Sequence, residues 1–309
     1  MINIFYACDD RYVPFLTVSL TSLIENASAA REYSITVLHS GLSNSSIESV
    51  SRLKKDNVKI GFCNVSDKLK AIADQLELRD YYTLSIYYRI FIPELFPHLQ
   101  KAVYLDADTV LLKDAALLYD TDVSGFIAAA VPDAVVASED IFIRYANEGV
   151  GVHYREYFNS GVMVMNLKRM REENLQGTFI RLLKSYHFNT ICPDQDYLNV
   201  ICRGKIKYLG SEWNRMTVDT SPCGEIGLVH YNMFFKPWLY KDVQYSEHFW
   251  RFAEKTEFFG ILKDMQSEFG ESDKLLDIEA GAKLRKSAEK IINEDRNFCR
   301  VLENEENAV

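Results

Sequence analysis

Long hydrophobic runs are missing from this chain. No stretch reaches the ~18 consecutive apolar residues that a membrane-spanning helix needs, and the opening MINIFYACDDRY has no basic segment followed by an apolar run. We therefore expect no transmembrane segment and no standard secretion signal, and predict a cytoplasmic protein.

Paired cysteines and excess positive charge are also absent. The six cysteines are scattered without a C-x-x-C pair, which argues against a disulfide framework and against a zinc knuckle. Lys and Arg number 35 against 44 Asp and Glu, a formal net charge of −9, so binding to nucleic acid is not expected. With 48% apolar and 26% charged residues, the composition is that of a folded globular protein.

Several enzyme motifs are missing too. The chain has no H-E-x-x-H, no G-x-S-x-G, no G-x-G-x-x-G and no Walker A lysine loop. Zincin, α/β-hydrolase, dinucleotide-binding and P-loop functions therefore lose support. A site made of carboxylates and a metal ion remains.

What the chain does contain is an alternation of strand and helix patterns. Strand patterns cover 3–8, 33–39, 58–63, 101–105, 127–131, 161–167 and 227–231. Helix patterns cover 13–26, a segment from a capping box at 45–48 to about 55, 87–96, 175–187, 196–202 and most of the chain after 246. The alternation predicts an α/β fold with a parallel sheet. We predict one catalytic domain, 1–250, and a helical extension, 251–309.

Carboxylates stand in three Asp-x-Asp pairs. They are Asp106/Asp108, Asp120/Asp122 and Asp194/Asp196. The first pair directly follows a buried strand pattern, where a period of two points both side chains to one side at the strand's carboxyl end. Ligands bind at such ends, and paired carboxylates suit Mg²⁺, Mn²⁺ or Ca²⁺; two solvated aspartates in a turn are the alternative. The second pair is assigned to a loop or helix terminus without a role.

Two further residues have patterns that allow either a structural or a functional interpretation. Asp194 precedes an apolar helical stretch, where capping the helix is the simpler interpretation. His230 ends an apolar strand, and a lone histidine at a strand end is usually structural.

Together, these segments resemble glycosyltransferase family 8, whose retaining enzymes include bacterial lipopolysaccharide galactosyl- and glucosyltransferases and glycogenin. The matching segments occur in family order over about residues 2–240. They are FYACDD from 5, YR from 88, YLDAD from 104, FNSGV from 158, DQDYLN from 194, EWN from 212, HY from 230 and KPW from 236. The resemblance implies a GT-A fold, an α/β architecture with a single mixed, mostly parallel central sheet flanked by helices.

The resemblance also implies a metal site and a donor. Asp106, Asp108 and His230 match the family's Mn²⁺ ligands, with Mg²⁺ as a substitute, and Lys236 matches a lysine that holds the diphosphate of a UDP-sugar. Two oxygen ligands and one imidazole nitrogen suit Mn²⁺ better than Ca²⁺. The implied partners are a UDP-hexose donor, carrying glucose or galactose, and a hydroxyl acceptor on a glycan, a lipopolysaccharide or a protein.

Further positions match the family's donor-binding residues. The resemblance places Ala7 and Asp9 in the uridine pocket, and Arg89, Asp133 and Asn159 near the donor sugar.

The pair Asp194 and Gln195 matches the segment that faces the anomeric carbon, with Asn159 nearby. Because a neutral amide is a weak nucleophile, same-face attack is preferred over a covalent double displacement.

The chain departs from the family pattern at a few positions. Arg11 stands where close relatives often have Asn, and Asn232-Met233 replaces a small, Gly-containing pair. The tail after 271 has more acidic than basic residues, which does not favour peripheral membrane contact.

Two other functions are considered. A sugar-nucleotide nucleotidyltransferase also combines an α/β sheet with metal-binding aspartates, but its N-terminal Gly-rich loop is missing here. A non-catalytic nucleotide-sugar-binding protein would have no need of the metal-site residues and Lys236.

Overall fold

Two sheets organise the part of the chain that the computed structural model describes, residues 1–69 and 84–306. Seven strands form a central sheet in the order β3-β2-β1-β4-β7-β6-β8, and three short strands form a second sheet in the order β5-β10-β9. The strands are β1 Ile2–Ala7, β2 Tyr33–His39, β3 Val58–Asn64, β4 Ala102–Leu105, β5 Thr109–Leu111, β6 Ala128–Pro132, β7 Phe158–Met165, β8 Ile206–Tyr208, β9 Arg215–Met216 and β10 Leu228–His230.

The central sheet is mixed and mostly parallel. β1 pairs in parallel with β2 and β4, as do β2 with β3 and β6 with β8. β7 runs antiparallel to both β4 and β6, and all of its residues are buried. The predicted α/β architecture is therefore confirmed.

The site segments gather at one edge of this sheet because of these strand directions. β1, β4 and β6 run the same way, so their carboxyl ends share an edge, and antiparallel β7 begins there. The residues that follow β1, β4 and β6 include Asp9, Asp106 and Asp133. Asn159, the second residue of β7, lies at the same edge.

The small sheet brings a fourth segment to that edge. The sequence predicts the strand at 227–231, but it does not predict that β10 pairs with β5 and β9 in a separate sheet. In the β10–β5 register His230 lies opposite Thr109, and the Tyr231 N–H donates to the Asp108 carbonyl oxygen at 3.0 Å. The end of β10 is thereby fixed beside the Asp-x-Asp segment.

Helices cover both faces of the central sheet and continue to the end of the described chain. They are α1 Val13–Asn26, α2 Asn44–Ser51, α3 Ser66–Leu69, α4 Tyr88–Leu95, α5 Ala116–Tyr119, α6 Ala134–Ser138, α7 Asp140–Arg144, α8 Leu167–Glu172, α9 Leu175–Tyr186, α10 Pro193–Ile201, α11 Ser246–Ala253, α12 Phe259–Glu268, α13 Glu271–Ile292 and α14 Phe298–Glu306. Short 3₁₀ turns occupy Asp10–Tyr12, Leu84–Tyr87 and Ser211–Trp213, and a π-helical turn occupies Tyr145–Val150. Among the residues described, none of these helices combines the length and apolar character that crossing a bilayer requires.

The start of α2 corrects the predicted capping box at 45–48. The cap is Ser43, whose Oγ accepts a hydrogen bond from the Ser46 N–H at 3.3 Å. Ser43 also donates to the carboxylate of Asp10, which ties this helix start to the turn after β1.

The C-terminal helices pack into the same core as the central sheet. Ile291, Ile292 and Phe298 are buried in one apolar cluster with residues of β4, β6 and β7. The predicted division at residue 250 stays a prediction, and the last three residues of that extension, 307–309, lie outside the described part of the chain.

Candidate active site

A cleft of about 990 Å³ opens at the sheet edge where the site segments meet. The structure brings together here every residue for which the sequence analysis predicts a site role. These residues are Ala7, Asp9, Arg89, Asp106, Asp108, Asp133, Asn159, Asp194, Gln195, His230 and Lys236.

Two carboxylates and one imidazole form a compact triad in the cleft. Asp106 and Asp108 follow β4, and His230 ends β10. The His230 Nε2 lies 3.2 Å from Asp108 Oδ1 and 3.8 Å from Asp106 Oδ2, and all three ligand atoms fall within 4.8 Å of one another. Three residues with one ligand atom each, at this separation, can share a single cation.

Lys236 is the nearest cation to this triad. Its Nζ lies 2.6 Å from Asp108 Oδ2 and also donates to the Tyr231 carbonyl oxygen. Burial works against ionisation of Asp108, but Lys236 and His230 hold its pKa well below the ordinary value. Burial likewise opposes the charge on Lys236, yet Asp108 raises its pKa above the ordinary value. Both groups are therefore charged at neutral pH.

Arg89 connects the triad to the neighbouring side of the cleft. Its guanidinium donates to Asp106 Oδ1 at 2.8 Å and to the Ser160 carbonyl oxygen at 2.6 Å, and its Nε lies 3.2 Å from Asp194 Oδ2. The side chain is buried and stacks over the Tyr104 ring at 4.4 Å. Because its donors are used by protein groups, Arg89 fixes the positions of the Asp106 and Asp194 carboxylates.

Asp194 does not cap its helix, which corrects the structural interpretation given to it above. α10 begins at Pro193 with Cys192 at the N-cap position, so Asp194 lies inside the first turn. Its Oδ2 accepts a hydrogen bond from Ser160 Oγ at 3.0 Å. Burial raises the pKa of Asp194, while the adjacent Arg89 opposes this shift.

Gln195 is held by hydrogen bonds to Ser160 and Asp133 in the cleft. Its Oε1 accepts from the Ser160 backbone N–H at 2.9 Å, and its Nε2 donates to Asp133 Oδ2 at 3.0 Å. The same Asp133 oxygen accepts from Asn159 Nδ2 at 2.9 Å. The other oxygen of Asp133 caps α6 by accepting the N–H groups of Val135 and Val136.

Ala7, the last residue of β1, and Asp9, two residues later, line the cleft on the β1 side of β4. One Asp9 oxygen caps the following 3₁₀ turn, accepting from the Arg11 and Tyr12 N–H groups at 3.0 and 3.2 Å. The other oxygen faces the Arg11 guanidinium at 3.2 Å. Arg11, which departs from the family pattern, therefore contacts the Asp9 carboxylate through both its backbone N–H and its guanidinium.

Three residues that complete the site have no role in the sequence analysis, although each lies in a segment quoted there. Ser160 bonds Arg89, Asp194 and Gln195 at once. Gly161 and Asn214 both contact His230, the second through a hydrogen bond of 2.9 Å to Nδ1. A glycine inside a strand signals close approach of another group, so Gly161 could have been found from its pattern; the other two could not.

The donor set fits a divalent cation. The inner cleft combines the carboxylates of Asp106, Asp108, Asp133 and Asp194 with the cations of Arg89 and Lys236. This grouping leaves an excess of negative charge, which a bound cation would offset. The His230 Nδ1 faces Asn214, so its Nε2 points to the two aspartates that would share the metal.

Comparison with known proteins agrees with this geometry. The profile of glycosyl transferase family 8 matches residues 3–242, most of the chain. The chain belongs to glycosyl transferase family 8, as its motifs predict.

The relatives in sequence that we compare are 26–27% identical to this chain. Over 218 residues the chain is 27% identical to a Haemophilus influenzae protein named "Putative glycosyltransferase", covering 70% of this chain and 64% of that protein. It is 26% identical to the lipopolysaccharide 1,2-glucosyltransferase of Escherichia coli K12 over 265 residues, 79% of this chain and 76% of that enzyme. The chain thus spans less than two thirds of the first of these proteins.

Solved structures share the fold. The galactosyltransferase LgtC, in complex with donor and acceptor sugar analogues, superposes with a TM-score of 0.69 at 25% identity, covering 84% of this chain and 99% of LgtC. The apo structure of the bifunctional glycosyltransferase WbbM gives a TM-score of 0.74 at 24% identity, covering 86% of this chain and 52% of WbbM. The GT-A architecture predicted from the sequence is confirmed.

Proposed function

We propose that this protein is a metal-dependent retaining glycosyltransferase that moves a hexose from a UDP-sugar to a hydroxyl group of a glycan or lipopolysaccharide-type acceptor. The observation that carries the proposal is the triad of Asp106, Asp108 and His230 in one cleft with Asp194 and Gln195. A glucosyltransferase and a galactosyltransferase are both among the similar proteins, so glucose and galactose are the two donor sugars to test.

The triad is the proposed holder of Mn²⁺, with Mg²⁺ as a substitute. A bound cation of this kind supplies positive charge that offsets the charge developing on a departing diphosphate. Lys236, already ionised beside Asp108, is the proposed second cation for the diphosphate. Its buried position makes it a fixed charge, because the side chain has little freedom to move away.

The two sides of β4 are assigned to the two parts of the donor. Ala7 and Asp9, at the carboxyl end of β1, are the proposed uridine contacts. Asp133 and Asn159, at β6 and β7 on the other side of β4, are proposed to bind the sugar together with Arg89, which orients Asp106 and Asp194.

In the proposed transfer, the bond from the anomeric carbon to the UDP phosphate oxygen breaks and a bond to the acceptor oxygen forms on the same face. The acceptor proton passes to the leaving phosphate oxygen. Gln195 would face developing positive charge at the anomeric carbon with its amide oxygen, and Asp194 would accept a hydrogen bond from a sugar hydroxyl. Ser160 holds both side chains in position.

The test is incubation of the protein with UDP-glucose or UDP-galactose, with and without Mn²⁺ or Mg²⁺, followed by assay of released UDP. We expect metal-dependent UDP release with one of the two donors. Pyrophosphate release from UTP and a sugar 1-phosphate would instead identify a nucleotidyltransferase. A donor-induced rise in thermal midpoint without turnover would identify a binding protein, and either result overturns the proposal.

A pair of matched variants separates the metal site from a general charge effect. Asp108→Asn replaces an anionic ligand by a neutral side chain of the same shape, so metal-dependent UDP release should be lost. Asp122→Asn makes the same change in a surface Asp-x-Asp pair, where the Asp122 carboxylate accepts a hydrogen bond from the Ser124 N–H at 2.9 Å. It should leave the activity unchanged.

A further inference from the structure

Asn214 is a fully buried amide between the metal triad and the Asn159 side chain. It follows the 3₁₀ turn Ser211–Trp213 and is 1% exposed. Its Oδ1 lies 2.9 Å from His230 Nδ1, and its Nδ2 donates to Asn159 Oδ1 at 2.9 Å. One side chain thus contacts a residue of the triad and a residue of the proposed sugar site.

Two backbone N–H groups fix the direction of the hydrogen bonds in this region. A backbone N–H can only donate, so Asn159 presents its Oδ1 to the Gly161 N–H at 3.0 Å and Gln195 presents its Oε1 to the Ser160 N–H at 2.9 Å. Both side chains therefore turn their NH₂ groups to the same Asp133 oxygen, which accepts them at 2.9 and 3.0 Å.

The same logic fixes the next amide and then the imidazole. Because Asn159 presents its oxygen, Asn214 must present its NH₂ group there and its own oxygen to His230. An acceptor at Nδ1 requires a proton on Nδ1. Nε2 is then the ring nitrogen left to bind a cation shared with Asp106 and Asp108.

We propose that Asn214 is a positioning residue that holds His230 in the metal-binding tautomer, and that Asp133 orients it through Asn159. Asp133 orients Gln195 by the same oxygen, so one carboxylate aligns both the imidazole of the triad and the amide assigned to the anomeric carbon. The proposal rests on the metal site of the proposed function. Groups behind a metal-binding histidine fix its ring and raise its basicity, and their removal weakens metal binding about 10- to 100-fold.

The test measures Mn²⁺ binding to the full chain without donor, by titration calorimetry. In Asn214→Ala the ring loses its acceptor, and Mn²⁺ affinity should fall about 10- to 100-fold. Asn214→Asp retains an acceptor for Nδ1–H but loses the donor to Asn159 Oδ1, so it should restore part of the affinity. A merely structural role predicts no such rescue.

Asn297→Ala is the matched control. Asn297 is also 1% exposed, and its amide donates to the Ile291 carbonyl oxygen at 3.0 Å while its oxygen accepts from the Arg300 N–H at 3.0 Å. It lies outside the cleft, so this variant should be less stable and bind Mn²⁺ like the wild type. Thermal midpoints of all variants show which of them are folded.

Nitrogen NMR of His230 in the unaltered protein provides a measurement that needs no substitution. It should show a protonated Nδ1 and, with Mg²⁺ as a diamagnetic cation in the site, an unprotonated Nε2. The opposite tautomer, or wild-type Mn²⁺ affinity in folded Asn214→Ala, overturns this inference and leaves the metal site intact. Absence of Mn²⁺ binding to the wild type would overturn the metal site itself.

Discussion

Gly161 lies directly beneath the triad, in the middle of strand β7. A Cβ atom at this position would overlap the His230 ring and come within 2.5 Å of Asp106 Oδ2. Its backbone carbonyl accepts the Asp106 N–H at 2.8 Å, so the strand cannot move away without breaking the pairing that positions the aspartate. Glycine at this position therefore sets the distance between the sheet and the proposed metal.

Gly161→Ala should weaken Mn²⁺ binding and lower the thermal midpoint, because the added methyl group displaces His230 or Asp106 in a close-packed site. Calorimetric titration and thermal unfolding measure the two effects. Gly125→Ala is the control, since a Cβ there has no atom within 4 Å. If Gly161→Ala bound Mn²⁺ like the wild type, the spacing argument would be wrong.

A substitution at Gln195 distinguishes a role in donor binding from a role in turnover. If its oxygen acts on charge that develops in transfer, Gln195→Ala should lower the single-turnover rate and change donor affinity little. Single-turnover kinetics and donor titration measure the two quantities. The exposed Gln244→Ala should change neither, and an unaltered rate in Gln195→Ala would remove this residue from the reaction.

The elements of the central sheet could be predicted closely because each carries its own local pattern. Helix α1 has the predicted bounds, as does strand β2, and the remaining predicted strands differ by a few residues at their ends. Strands β5, β8 and β9 have two or three residues, too few for a pattern, and pairing between distant segments forms the small sheet. The link from Asn214 to His230 is equally non-local and has no signature in the sequence.

Asp196 fixes the start of α10 to the rest of the molecule. Its carboxylate is buried and accepts from the hydroxyls of Tyr145 and Tyr157 at 2.7 and 2.6 Å and from the N–H groups of Ile191 and Cys192 at 3.2 and 3.1 Å. Asp196 therefore holds in place the first turn of α10, from which Asp194 and Gln195 reach the cleft. Burial raises its pKa to about 6, although the four hydrogen bonds oppose that shift.

This raised pKa predicts the pH dependence of one variant. The folded protein binds a proton at Asp196 that the unfolded chain releases near its ordinary pKa, so the stabilisation is present below about pH 4 and is lost as the pH rises through about 6. Asn at this position does not titrate. The free energy of unfolding of the wild type minus that of Asp196→Asn should therefore fall by roughly 3 kcal/mol between pH 4 and 7. Urea unfolding of both proteins at each pH measures it; a difference that rises with pH would contradict the shift.

At the scale of the whole molecule, α13 joins two regions. Near its carboxyl end, Ile291 and Ile292 are buried against the π-helical turn and the core of the central sheet. Along its middle, residues from Leu276 to Ser287 line the cleft, and Asp277 accepts a hydrogen bond from the Tyr240 hydroxyl at 2.8 Å. The helix is both part of the core and one wall of the site.

Two isoleucines on this helix test that integration. Ile291→Ala should destabilise the protein by about 2–5 kcal/mol, because it opens a cavity in the core. Ile278→Ala, on the same helix but 66% exposed, should change the free energy of unfolding by less than about 0.5 kcal/mol. Equal effects in denaturant unfolding would show that α13 does not share the core.

The position of α13 also has an evolutionary consequence. The helix starts beyond residue 242, where the match to the family profile ends, yet its residues between Leu276 and Ser287 border the same cleft as the triad. Substitutions on the cleft-facing side of α13 would therefore change one wall of the site while the residues at the ends of β4 and β10 stay as they are.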